Sequence, residues 1–281
     1  GGGANAVANV RALGGEPLVA GIVGTDALGD RLLEIFDRAG IATGGIVRRQ
    51  DYRTPCKTRV LGGARHSIKQ QIVRFDLEDP RALESAERDA LNAYLREQAA
   101  RCEVAVLSDY GLGTVEPGFV HTVKQSKALQ CLGDSRYRLQ DFAGLDGATP
   151  NEEELESIED TAEDDPARAG LALLERLQAR FLLLTRGSEG MVLIDDEGAL
   201  RIPCYGTSQV ADVTGAGDTV IGTFALASAA GAEPREAAVL ANYAGGTVVM
   251  KMGTTTATAD ELRQAVRDDS TTLEGITWDA W

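Results

Sequence analysis

An α/β fold, a three-layer α/β/α sandwich on a mainly parallel central sheet, is predicted by three features of this 281-residue chain. Short apolar runs rich in branched residues alternate with amphipathic helical stretches, the order in which strands and crossover helices follow one another in a parallel sheet. Polar residues suited to chemistry, Ser108-Asp109, Asp134, Asn151, Arg186-Gly187 and the segment Asp212 to Asp218, each follow a strand-like run, which would gather them on one carboxyl rim. A hydrophobic content of 43% over this length suffices for one substantial domain.

The chain opens on Gly1-Gly2-Gly3-Ala4-Asn5 at the entry of a helix whose apolar positions Val7, Val10 and Leu13 keep helical spacing. With no initiating Met, and a Gly-rich turn of the kind that follows a strand, an N-terminal portion is expected before Gly1. Pro17 to Val23 reads as a buried strand, and Gly24 to Gly29 as a loop feeding the amphipathic helix Asp30 to Ala39. Lys57 to Leu61 and Ile68 to Phe75 are β-branched and flank Gly62-Gly63, a hairpin pattern. Then come a charged helix from Ala82 to Arg101, a strand from Val104 to Leu107, a helix from Pro117 to Leu129 and a strand from Gln130 to Gly133. Helices Asn151 to Ile158 and Ala167 to Ala179 precede the strand Phe181 to Thr185, and Asp195-Asp196-Glu197-Gly198 turns a second hairpin between Gly190 and Pro203. A helix buried on most sides should follow Asp218, then helices Glu236 to Met250 and Ala259 to Val266. The domain is taken as residues 1–267, with a polar tail, 268–281, carrying Trp278 and Trp281 and able to dock on the body or on a partner.

A net charge of −15 argues against general nucleic-acid or anionic-membrane binding and leaves a small molecule as the expected partner. Cys56, Cys102, Cys131 and Cys204 are far apart with no CxxC spacing, which reads as reduced thiols in a cytoplasmic protein rather than a zinc or redox site. No apolar run approaches the roughly 20 residues of a membrane span. His66 and His121 are the only histidines, so a His-based triad has little material.

The densest chemistry lies in Asp212-Val213-Thr214-Gly215-Ala216-Gly217-Asp218-Thr219. Glycines ahead of a helix let free N–H groups point outward, where the helix dipole favours an anion such as phosphate. Asp218 in that first turn is placed to take a proton from an attacking hydroxyl, or is an ordinary first-turn acid in a Gly-rich turn. Asn151 and Glu154, at i and i+3, form either a helix cap or an acidic group holding water around a magnesium ion. Thr185-Arg186-Gly187-Ser188-Glu189-Gly190 is a second phosphate-friendly turn or a plain connection. Lys57, Arg59, Lys69 and Arg74 make the first hairpin basic within an acidic chain, as a ligand contact or as a solvated face.

Taken together and in this order, Gly-Gly-Gly-Ala-Asn-Ala at the start, Asn-Glu-Glu-Glu at Asn151, Thr-Arg-Gly-Ser-Glu-Gly at Thr185 and Asp-Val-Thr-Gly-Ala-Gly-Asp at Asp212 resemble the ribokinase, or PfkB, family of carbohydrate kinases. Lys57 to Val60, Gln70 to Glu78, Ser108 to Gly111 and Val248 to Thr254 are most similar to the D-glycero-β-D-manno-heptose 7-phosphate kinases. The resemblance implies a cytoplasmic, ATP- and Mg²⁺-dependent kinase that phosphorylates O1 of a heptose 7-phosphate for cell-surface glycan. It implies Asp218 as catalytic base, with the amides of Gly215, Ala216 and Gly217 stabilising the transferring phosphoryl group. It places Asn151 and Glu154 beside phosphates and magnesium, the Mg²⁺ held by Glu154 through water; Thr185, Arg186, Gly187, Gly190 and Asn242 line the nucleotide. Gly1, Gly2 and Asn5 would contact the sugar, Lys57, Arg59 and Arg74 its phosphate, and Asp212 and Thr214 would lend backbone oxygens to a monovalent cation such as K⁺. Lids in this family often mediate homodimers.

Three departures accompany the resemblance. The family's opening strand and lid strands would precede Gly1; Asp134-Ser135-Arg136 stands where an Asp-Pro-Lys is usual; and the HxGH motif of bifunctional relatives has no counterpart. The alternatives are a family member acting on ribose, a fructose or phosphohexose, or a nucleoside, and, from another class, a nucleotide- or sugar-phosphate-binding homologue without turnover.

Overall fold

The computed structural model describes residues 2–63, 70–126, 129–160, 165–206, 211–269 and 271–280. Gly1, His66, Ile68, Lys69, Trp281 and the part 161–164 of the acidic stretch lie outside them. The helices are α1 (Gly3–Ala12), α2 (Ala27–Arg38), α3 (Ser85–Ala99), α4 (Gly118–Val123), α5 (Glu152–Glu156), α6 (Pro166–Leu177), α7 (Ala216–Ala229), α8 (Pro234–Val249), α9 (Ala259–Asp268) and α10 (Thr271–Glu274). The strands are β1 (Leu18–Gly24), β2 (Ala42–Arg49), β3 (Cys56–Gly62), β4 (Gln70–Leu77), β5 (Val104–Asp109), β6 (Gln130–Ser135), β7 (Gly147–Ala148), β8 (Phe181–Thr185), β9 (Met191–Asp195), β10 (Gly198–Ile202) and β11 (Thr277–Ala280).

A seven-stranded sheet runs in the order β11-β10-β9-β8-β7-β6-β5, with β1-β2 and β3-β4 as separate pairs. Pairing is parallel from β5 to β8 and antiparallel from β8 to β11. The parallel half carries the carboxyl rim on which the site is built. The period-2 alternation of β8 divides the core: Leu182 and Leu184 join Leu91, Phe119, Val120 and Leu173 on one face, while Phe181 and Leu183 join Ile221, Phe224 and Ala241 on the other. Helices cover both faces, which makes the three layers.

Local rules account for the helix ends. Asp26 caps α2 through the Gly29 amide; Thr258 with Glu261, and Asn151 with Glu154, form reciprocal capping boxes on α9 and α5. Several elements differ from the sequence pattern, most of them in their bounds by a few residues. The helix expected over Pro117 to Leu129 stops at Val123, and β2 has no counterpart in the expected elements. Gly44 and Gly45 lower strand propensity, yet a Cβ on Gly45 would sit 2.4 Å from the Tyr94 ring of α3 and from the Val19 carbonyl of β1, so close packing demands the glycine there.

The tail docks on the body. β11 adds to the sheet edge antiparallel to β10, with Trp278 opposite Leu200. Arg235 of α8 lies 4.1 Å over the Trp278 ring, and Arg201 pairs with Asp279 at 2.8 Å. Among the described residues, no helix is long and apolar enough to cross a membrane.

Candidate active site

Residues from five chain segments meet at the N-terminus of α7. Gly215 caps that helix in a left-handed conformation (φ 80°), and no side chain caps the first turn. Among the described residues the amides of Gly217 and Asp218 find no acceptor, and open space lies in front of Gly217 where a Cβ would point. Unsatisfied amides facing open space at a helix N-terminus form an anion cradle. At Gly215 a Cβ would stand 2.4 Å from Asn5 Nδ2, so the close approach of α1 also requires glycine.

Asp218 is 5% exposed, held by two neutral donors. Asn5 Nδ2 donates to Oδ2 at 2.9 Å, and the Tyr110 hydroxyl donates to Oδ1 at 2.5 Å. Burial pushes the Asp218 carboxyl above its ordinary value, and these two hydrogen bonds oppose that rise. Asn9 extends the support: its Nδ2 donates to the Asn5 carbonyl, and its Oδ1 accepts from the Ala257 amide.

Further carboxylates crowd the same rim. Asp134, at the end of β6, is pushed up to about 8 by burial and then by the charges of Glu154, Asp218 and Asp109. Burial also raises Glu154, against the opposing Asn151 hydrogen bonds and the charge of Arg136. Asp109 is different in kind. Its side chain, 1% exposed, accepts from the Gly111 amide, Ser135 Oγ and Arg138 Nε, which ties the ends of β5 and β6 together. No cluster of three or more His, Cys, Asp or Glu side chains in metal-binding array occurs among the described residues.

On the neighbouring strands, Asn151 pairs with Thr185 in a parallel bridge, so the Asn-Glu-Glu-Glu and Thr-Arg-Gly segments are adjacent. Arg186 is held by Glu152 at 2.7 Å and Glu189 at 2.6 Å. Gly187 (φ 53°) faces open space, whereas a Cβ on Gly190 would collide with the Ile202 carbonyl at 2.1 Å, which gives Gly190 a packing role. Asn242, 2% exposed on α8, donates to the Pro203 carbonyl.

The hairpin β3-β4 is amphipathic in register. Lys57 opposite Asp76 and Arg59 opposite Arg74 share one face; Thr58 opposite Phe75 and Val60 opposite Val73 share the other. Lys57 is ion-paired with Asp76 and Glu78, and Arg74 with Asp76 at 2.9 Å, so both charges are already engaged. Arg59 has no ion pair among the described residues, and its charge acts on Asp212. Burial raises the Asp212 carboxyl, but hydrogen bonds from Thr214 and Gly253, with the Arg59 charge, bring it below the ordinary range. That carboxylate therefore fixes the loop before α7.

The segments brought together at α7 are thus Gly2, Asn5, Asp134, Glu154 and Gly215 to Asp218; Thr185, Arg186 and Gly187 line the adjoining strand end, and Gly1 lies outside the described residues. Tyr110 belongs to the Ser108 to Gly111 segment that carries the resemblance, but no role for it follows from that motif, since a single tyrosine after a strand carries no spacing signal.

The profile of the pfkB family carbohydrate kinases matches residues 1–261. The chain is 36% identical over 273 residues to the bifunctional protein HldE of Mesorhizobium japonicum, covering 95% of this chain and 54% of that protein. It is 38% identical over 283 residues to HldE of Pseudomonas aeruginosa PAO1, covering 98% and 57%. The chain thus spans about half the length of these curated relatives. In fold it resembles phosphofructokinase-2 from Escherichia coli in complex with potassium (TM-score 0.76, 20% identity, 95% of this chain and 87% of that one). It also resembles Arabidopsis thaliana ribokinase complexed with ribose and ATP (TM-score 0.75, 19% identity, 95% and 87%).

Proposed function

The chain belongs to the pfkB family of carbohydrate kinases, and on that premise we propose that it moves the γ-phosphoryl group of ATP to O1 of a heptose 7-phosphate in the cytoplasm. The observation that carries the reading is Asp218: a buried carboxylate without a cationic partner among the described residues, beside the open amides of the α7 N-terminus. In the reaction, Asp218 takes the proton of the acceptor hydroxyl as its oxygen attacks the γ-phosphorus and ADP leaves. The amides of Gly215 and Gly217 hold the charge that builds on the phosphoryl oxygens, and the Ala216 amide, expected beside them, would first have to leave the Val213 carbonyl to which it donates at 3.2 Å. Asn151, Thr185, Arg186 and Gly187 lie along the nucleotide, with Asn242 shaping its far wall through Pro203.

The donor set suits magnesium. Carboxylates whose affinity for protons is raised chiefly by burial, Asp134 and Glu154, are hard oxygen ligands that a cation would relieve. Bound there with the nucleotide, Mg²⁺ would supply neutralisation of phosphate charge. A monovalent cation at the backbone oxygens of Asp212 and Thr214 is supported by the potassium complex of the phosphofructokinase-2 neighbour. The acceptor's 7-phosphate meets Arg59, with Lys57 and Arg74 exchanging their carboxylate partners for it. The outward apolar face of the hairpin, with Ile72 71% and Phe75 60% exposed, pairs with a second copy in a homodimer.

Asp218→Asn should lower kcat about a thousandfold while MgATP still binds. Turnover close to wild type would remove Asp218 as the base.

A further inference from the structure

Tyr110 stands where the sugar-side segment and the base meet. Its ring lies against Gly2, where a Cβ would be 3.5 Å from Tyr110 Cε2, and its hydroxyl donates to Asp218 Oδ1. The backbone beneath it is fixed. Asp109, the preceding residue, accepts hydrogen bonds from Gly111, Ser135 and Arg138, and the Tyr137 ring packs over left-handed Gly111. The buried Asp109 network thus fixes the backbone from which the phenol reaches the carboxylate.

We infer that Tyr110 is a positioning residue for the phosphoryl-transfer base, the second arm of a neutral two-donor clamp that, with Asn5, aims the Asp218 carboxylate at the acceptor hydroxyl. This rests on the kinase reading given above. The physical case turns on what the partners are. A lysine or arginine against a buried carboxylate holds it anionic but drains its basicity, and a carboxylate with no donors takes up a proton in so dry a place. Two neutral donors, one on each oxygen, favour the ionised form against the effect of burial and leave it able to accept a proton. The clamp also spares a lone pair on each carboxylate oxygen for the incoming hydroxyl.

Tyr110→Phe keeps the ring against Gly2 and removes only the donor. In the full chain, kcat should fall about ten- to hundredfold, the effect of losing one hydrogen bond to a charged group, with KM for MgATP within about twofold. A purely structural role would lower the thermal midpoint and leave kcat of the folded protein unchanged; that result overturns the inference. A second readout does not depend on turnover. In the wild-type protein the Tyr110 hydroxyl proton should give a downfield NMR resonance that is absent in Tyr110→Phe and moves upfield in Asp218→Asn. A resonance indifferent to Asp218→Asn contradicts the clamp. If the wild-type protein phosphorylates no sugar, the kinase reading falls, while the resonance still decides whether the clamp exists.

Discussion

At the scale of residues, the site concentrates negative charge and relies on neutral donors to keep it in place. Asp134 shows the consequence for stability. Its carboxyl is pushed up from 3.8 to about 8 by burial and by Glu154, Asp218 and Asp109, so the folded chain holds a proton that the unfolded chain has released. Stability of the nucleotide-free protein should therefore decline as pH rises from 3.8 towards about 8. Asp134→Asn removes that penalty: thermal denaturation in Mg²⁺-free buffer should show a midpoint a few degrees higher at pH 8 and little change near pH 4. An equal shift at both ends would exclude Asp134 as the titrating group. Asp218 and the glycines ahead of it were legible in the sequence because an anion cradle needs a fixed local pattern of glycine and helix start. Tyr110 was not, because its role comes from the packing of β5 against α1 and α7, which no spacing records.

Among elements, most strands and helices could be read from periodicity, and the failures have physical causes. Gly44 and Gly45 hide β2, whose glycines are there for Tyr94, and Thr277 to Ala280 is a strand only because β10 offers an unpaired edge. The charged face of the β3-β4 hairpin was visible as composition, but register decides that Lys57 and Arg74 face Asp76 while Arg59 looks to Asp212. Two measurements belong at this scale. Trp278→Ala, which loses the Arg235 stacking and part of the edge packing, should cost about 1–2 kcal/mol, seen as a lower urea midpoint with an unchanged slope. An unchanged midpoint would mean that β11 adds nothing to the sheet. The double variant Ile72→Asp with Phe75→Asp should convert the proposed homodimer to monomer in sedimentation velocity at matched concentration. A dimer that survives both charges would place the contact elsewhere.

For the whole molecule, the parallel half of the sheet gathers strand ends β5 to β8 against the N-terminus of α7, and the antiparallel half with β11 forms the outer body. In the proposed function the substrate would be recognised by few groups: Arg59 beside the α7 loop, and Gly2 and Asn5 at the start of α1. The central claim is that this rim transfers a phosphoryl group to a heptose 7-phosphate with Asp218 as base. It is tested most directly by ³¹P NMR of the products after incubating the protein with MgATP and D-glycero-β-D-manno-heptose 7-phosphate. The account predicts a new anomeric phosphate resonance matched by ADP, absent with Asp218→Asn. No anomeric phosphate from heptose 7-phosphate, with phosphorylation of ribose or fructose 6-phosphate under the same conditions, would contradict it.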